Sequence, residues 1–304
     1  MKFSTFLLGI FSLAVISGEE IKYCGYDEVI EHIESVKPGI KASSDYIYEL
    51  AKRHATEQPQ RDIVYEIPVV FHIIYNNDAQ NLPDYVIESQ IEVLNEDFRR
   101  LNANASETRP EFLPVAADAE IEFVLATEDP EGYPANGITR TYTSQSGFPY
   151  IDFADIFTGN ITLDNVKKSS EGGKDAWDTS RYLNIWICNI EESFLGQVLG
   201  FAYPPTNVNE VLQNVDLDSV PDWPTEGFTT DEDLQGVVLH YPIVGRNNPS
   251  HGDDGISGNE MGRACVHEVG HYLGLRHIWG DPLFGDGCSV DDGLTDTPNQ
   301  SAAS

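Results

Sequence analysis

Apolar positions recur at two spacings along this chain. Residues 63–75 are almost continuously apolar and predict a buried strand, with Pro68 marking an irregularity or a sheet edge. Over residues 84–101, Ile87, Ile91, Leu94 and Phe98 fall on one helical stripe and predict an amphipathic helix. Residues 121–125, 137–142, 182–190, 199–203 and 236–241 read as further strands. The 199–203 segment fits a sheet edge and a plain core strand equally well. Near the end of the chain, Met261, Cys265, Val269 and Tyr272 form an apolar stripe on a predicted helix. Ser257 and Glu260 before it have capping-box spacing. Gly262 and Gly270 lower its intrinsic propensity, so packing must hold it. From residue 63 on, the pattern is α/β.

Residues 19–61 are polar and mostly helix-like. One helix is predicted from Asp27, with Val29, Ile33 and Val36 at helical spacing, and a second around Tyr46, Leu50 and Ala51. The segment is too short for its own core and reads as a pro-segment packed on the rest, with Lys52, Arg53 and Arg61 as processing points. Ahead of it, residues 1–18 combine a basic start, an apolar run and small residues, the pattern of a secretory leader. The run is shorter than the ~20 residues of a membrane span. No other segment is apolar enough for one.

Composition narrows the function. The net charge of −32 and a pI of about 4.3 argue against a nucleic-acid partner, which needs a basic footprint. They suit an exported protein with a solvated acidic surface. The four cysteines, Cys24, Cys188, Cys265 and Cys288, allow three disulfide pairings in an oxidising compartment. Cys188 and Cys265 sit on apolar stripes and read as buried thiols. Asn104, Asn160 and Asn299 begin glycosylation sequons. Residues 206–233 form an acidic connector.

The chemistry is concentrated in His267-Glu268-Val269-Gly270-His271-Tyr272-Leu273-Gly274-Leu275-Arg276-His277. His267 and His271 are four apart and share one helical face, where two imidazoles can hold one Zn²⁺. Gly274 can take a left-handed conformation and end the helix. The chain then swings back, so that His277 becomes a third ligand. Three neutral nitrogens leave a fourth position for water, and Glu268 is placed to take a proton from it. The bland alternative is a buried helix with satisfied histidines. Gly274 and His277 at fixed offsets count against it.

With these residues the chain resembles the pappalysin-type (cytophagalysin-like) metzincins, a family of secreted zinc endopeptidases. The resemblance extends to Gly262-Arg263, to the run from Leu275 to Asp281, to Cys288 through Asp292 and to Asp296-Thr297-Pro298. It also covers Ile67 through His72 and Tyr182 through Trp186. It implies a metzincin-type zincin with a twisted mixed sheet, a backing helix and a zinc-binding helix. It implies His267, His271 and His277 as zinc ligands, Glu268 as catalytic base, and peptide substrates. Cys288 would pair with a cysteine beyond Ser304. The family's Met-turn follows the third histidine, whereas the two methionines here, Met1 and Met261, precede it. The chain is therefore expected to stop short of the Met-turn, with its C-terminal subdomain largely missing.

Lys22-Tyr23-Cys24-Gly25 resembles the cysteine-switch segment of related zymogens, which implies Cys24 as an inhibitory zinc ligand; a free or disulfide-bonded cysteine is the alternative. Asp291, Asp292, Asp296 and Thr297 offer hard oxygens that suit Ca²⁺, and the resemblance adds to that reading. The organisation expected is a leader (1–18), a pro-segment (19–61) and a metallopeptidase domain (62–304). The function expected is secreted zinc-dependent peptide hydrolysis. Its rival is a secreted, non-catalytic binding protein with a structural zinc.

Overall fold

The computed structural model describes residues 22–36, 41, 63–151, 161–192, 196–205, 232–252, 260–280, 292–294, 297, 298 and 300. Outside them lie the expected leader, the second pro-segment helix, the processing points, Cys288, and most of the acidic connector. Asp291 and Asp296 of the acidic loop also lie outside.

The core is one seven-stranded mixed sheet. Its strands are β1 (Lys22–Cys24), β2 (Tyr65–Tyr75), β3 (Ile121–Leu125), β4 (Ile138–Tyr142), β6 (Leu183–Cys188), β8 (Val198–Tyr203) and β9 (Gly236–His240). The order is β1-β8-β9-β6-β2-β3, with β4 also pairing β2. Every pairing is parallel except β8 with β9. The strand expected over 182–190 stops at Cys188. Beyond Asn189, β7 (Ile190–Glu191) pairs with β5 (Phe148–Pro149) in a second, small sheet.

Pro68 does not mark an edge, because β2 is flanked on both sides. The Tyr65 and Phe71 N–H groups donate to Glu120 and Gly137, so odd residues of β2 bond toward β3 and β4. Pro68 therefore faces β6, one residue ahead of where that ladder begins at Val69. Its missing N–H costs no ladder bond there.

Period-two alternation divides the apolar residues between two faces. On one face, Val69, Phe71, Ile73, Ile185, Ile187, Val237 and Leu239 are buried under two helices, α2 (Asp84–Phe98) and α3 (Arg263–Tyr272). Val86, Ile87 and Leu94 of α2 and Cys265, Val269 and Tyr272 of α3 fill this layer. On the other face, Trp186, Cys188, Phe201, Tyr203 and Val238 meet Val29 and Ile33 of α1 (Tyr26–Val36), the helix predicted from Asp27. Burying those two side chains contributes roughly 1.5–3 kcal/mol each toward docking α1.

Helix α3 departs from expectation at its start. It begins at Arg263, after Gly262 at φ 69°, and no side chain caps it. Ser257 of the expected capping box lies outside the described residues, and Met261 is exposed instead of joining the core stripe. The reason is tertiary. Buried Gln90 of α2 donates to the Gly262 carbonyl at 3.0 Å and accepts from the Gly245 N–H at 2.7 Å. Arg263 grips Asp97 of α2 through two nitrogens. These bonds fix where the helix can begin. Among the described residues Cys24, Cys188 and Cys265 are free thiols, so the expected disulfides gain no support there.

Candidate metal centre

The end of α3 follows expectation. Gly274 takes φ 96°. The Leu275 N–H reaches the Gly270 carbonyl and the Gly274 N–H reaches that of His271, both at 2.9 Å. This is a Schellman ending. The reversed chain carries His277 back to the first two histidines.

The three Nε2 atoms converge. They stand 3.0 Å (His267 to His271), 3.2 Å (His271 to His277) and 3.3 Å (His267 to His277) apart. Ligands on a tetrahedral ion at about 2.0–2.1 Å lie roughly 3.3–3.4 Å from one another. The triangle thus has the dimensions of a zinc face. Tautomer supports the fit, because the His271 Nδ1–H donates to the Leu275 carbonyl at 2.7 Å and leaves the Nε2 lone pair facing inward. Burial, with His277 and His267 as neighbours, holds His271 well below the usual imidazole range, in the neutral form a metal needs.

Cys24 completes the group: its Sγ and the three histidine nitrogens all lie within 4.8 Å of one another. It arrives on β1, which pairs parallel to β8 with Cys24 opposite Gly200. The Gly25 N–H donates to the Gly200 carbonyl at 2.9 Å, and the Tyr150 hydroxyl to the Gly25 carbonyl at 2.8 Å. Burial and the Glu268 carboxylate push the Cys24 thiol upward. A coordinated cation reverses that balance, since ligating thiols deprotonate.

Glu268 is buried on α3 and accepts from the Cys24 thiol at 3.6 Å. Burial raises its carboxyl to about 8. Its space comes from Gly200, where a Cβ would stand 3.0 Å from Glu268 Cγ and 2.8 Å from the Val238 carbonyl.

Several further neighbours frame the histidines without having been assigned a role from the sequence. Tyr26 stacks on His271 at 4.0 Å, Trp279 stacks on His277 at 4.2 Å, and Asp27 Oδ1 lies 3.1 Å from His277 Nδ1. A cavity of about 440 Å³ opens beside the histidines, lined by Phe98, Val266, Gly270, Leu275 and Trp279 among others. In the acidic loop, Asp292 is buried and accepts from the Leu294 N–H at 2.9 Å. That bond gives calcium no support.

A mixed sheet, a backing helix and a helix ending in a glycine turn between histidines define the metzincin type of metalloprotease fold. Mature mirolysin of Tannerella forsythia, solved with a cleaved peptide, is 42% identical, covering 81% of this chain and 75% of that one at a TM-score of 0.61. A mutant of Tannerella forsythia promirolysin is 38% identical, covering 93% and 78% at 0.67. The chain belongs to the mirolysin family of metalloproteases. Among curated proteins, extracellular metalloproteases of Sordaria macrospora and Neurospora crassa are 29% and 28% identical over 126 and 127 residues. Those matches span 41% of this chain and 33% of each relative, about a third of their length. Like them, the protein is extracellular. Among the described residues, no helix is long and apolar enough to cross a membrane. No family model matches the chain.

Proposed function

We propose that this protein is a secreted zinc endopeptidase made as a zymogen. In this reading residues 1–18 are the leader, 19–61 the pro-segment and 62–304 the peptidase domain. His267, His271 and His277 hold Zn²⁺, and Cys24 fills the fourth position until the pro-segment is cut. When bound, Zn²⁺ supplies Lewis-acid polarisation of the scissile carbonyl and acidifies water beside it.

The chain's own residues do the rest. Glu268 takes a proton from the attacking water at its carboxylate and passes it to the leaving nitrogen. The edge of β8, held by β1 in the zymogen, receives an extended peptide as an added strand. The cavity beside the histidines offers room for a substrate side chain.

The observation that carries this reading is Glu268 within 3.6 Å of the Cys24 thiol. The thiol occupies the place a nucleophilic water needs, and a buried carboxylate already faces it. Glu268→Gln is expected to retain zinc while kcat for casein falls by about 10²–10⁴-fold. Undiminished cleavage by the zinc-loaded variant would remove Glu268 from the chemistry.

A second reading rests on the four-donor set itself. One sulfur and three nitrogens within 4.8 Å also suit a closed, structural zinc site in a binding protein. Removing the pro-segment separates the two, because a structural site would then lose zinc without gaining peptidase activity.

A further inference from the structure

The pro-segment touches the histidine cluster at more than its thiol. Asp27, in the first turn of α1, places Oδ1 3.1 Å from Nδ1 of buried His277, although 250 residues separate them in sequence. The Nε2 of the same ring points into the histidine triangle. This is the arrangement in which an outer carboxylate fixes a ligating imidazole's tautomer and ring angle and raises its basicity. His271 has its equivalent bond from its own domain, at the Leu275 carbonyl. For His277 the carboxylate is lent by the segment that is to be removed.

Asp27 is aimed from several directions. Val29 and Ile33 bury the same helix against the sheet. Bonds from Gly25 to Gly200 and from Tyr150 to Gly25 pin the strand end just before it. Tyr26, its neighbour, lies flat on His271. A side chain so constrained loses little entropy in making its contact.

We propose that the pro-segment is a metal-loading device as well as a plug, with Asp27 as a positioning residue that orients His277 for zinc independently of the Cys24 thiol. The proposal rests on the metal-centre reading. It means that the zymogen captures zinc more tightly than Cys24 alone explains, and that processing withdraws two contributions at once. A processed enzyme that has lost its metal would reload poorly.

The test is zinc affinity of the uncleaved chain, measured with Zn²⁺ against a competing chromophoric chelator. Wild type would be compared with Asp27→Ala, Asp27→Asn, Cys24→Ser and the Asp27→Ala/Cys24→Ser double variant. Glu28→Ala serves as a control for charge lost from the first helical turn. Asp27→Ala is expected to weaken zinc binding by roughly 10–100-fold, with Asp27→Asn in between and Glu28→Ala near wild type. The same fold-loss should appear in the Cys24→Ser background. With Co²⁺ in place of zinc, Asp27→Ala should retain the thiolate-to-metal charge-transfer band, because Cys24 still binds. Apo-protein melting of each variant reports any purely structural damage.

Wild-type affinity in Asp27→Ala would overturn this inference alone. So would loss of the cobalt thiolate band together with a lower apo melting temperature, since Asp27 would then act by docking α1. A wild-type chain that binds no zinc would overturn the metal centre and this inference with it.

Discussion

At the scale of single residues, the site depends on what the neighbours leave out as much as on the ligands. Gly200 has no side chain, and Glu268 fills the room. Gly200→Ala is expected to force a shift of the Val238 carbonyl or of Glu268, costing about 1–3 kcal/mol and lowering kcat more than stability alone explains. Melting and peptide kinetics on the variant check this; unchanged values for both would mean that the strand gives way freely. Cys24→Ala is expected to yield an uncut protein that already cleaves peptide, and persistent latency would assign inhibition to α1 instead. His267, Glu268, His271 and His277 were legible in the sequence because eleven consecutive residues encode their spacing. Cys24 was legible only by resemblance and chemistry. Asp27, Tyr26 and Gly200 were not legible, because their partners come together only once the sheet and α1 have formed.

At the scale of elements, the two ends of α3 differ in how local they are. The Schellman ending is written in Gly274, and the structure uses it as the spacing predicts. Gly274→Ala meets nothing within 4 Å, so its cost is the left-handed backbone at φ 96°, about 1–2 kcal/mol. Because that turn aims His277, zinc affinity should fall with stability. A variant that melts lower but binds zinc as before would uncouple the turn from the ligand. The start of α3 misleads a reader of sequence. Gly262 and Arg263 are held there by Gln90 and Asp97 on α2, well over a hundred residues away in sequence, and Met261 is left exposed. Pro68 misleads for a similar reason: its tolerance depends on where the β6 ladder begins, and only the pairing register determines that. Strand positions were otherwise well marked, since alternation along β2, β6 and β9 serves two buried faces.

At the scale of the whole molecule, the parallel sheet encloses a polar group whose protonation matters for stability. His72 is buried in β2, bonded at Nδ1 to Thr139 (2.7 Å) and at Nε2 to Asn184 (2.9 Å). Burial holds it near 4 instead of 6.5. The native state therefore binds fewer protons than the unfolded chain between those values. Its contribution to stability is complete above pH 6.5 and is lost as pH falls toward 4, to a limit of about 3 kcal/mol. Melting temperature should drop over that window, and less so in His72→Gln; equal slopes would acquit the histidine. The same molecule docks its own N-terminal strand on β8, parallel to it, with the thiol delivered at the histidine triangle.

The most direct test of the account follows from that docking. The protein, loaded with zinc, would be assayed on casein before and after cleavage of the pro-segment ahead of residue 63, with and without chelator. Silence before the cut, cleavage after it, and loss of cleavage with the metal are expected. Processed, zinc-loaded protein that leaves peptide intact would contradict the peptidase reading.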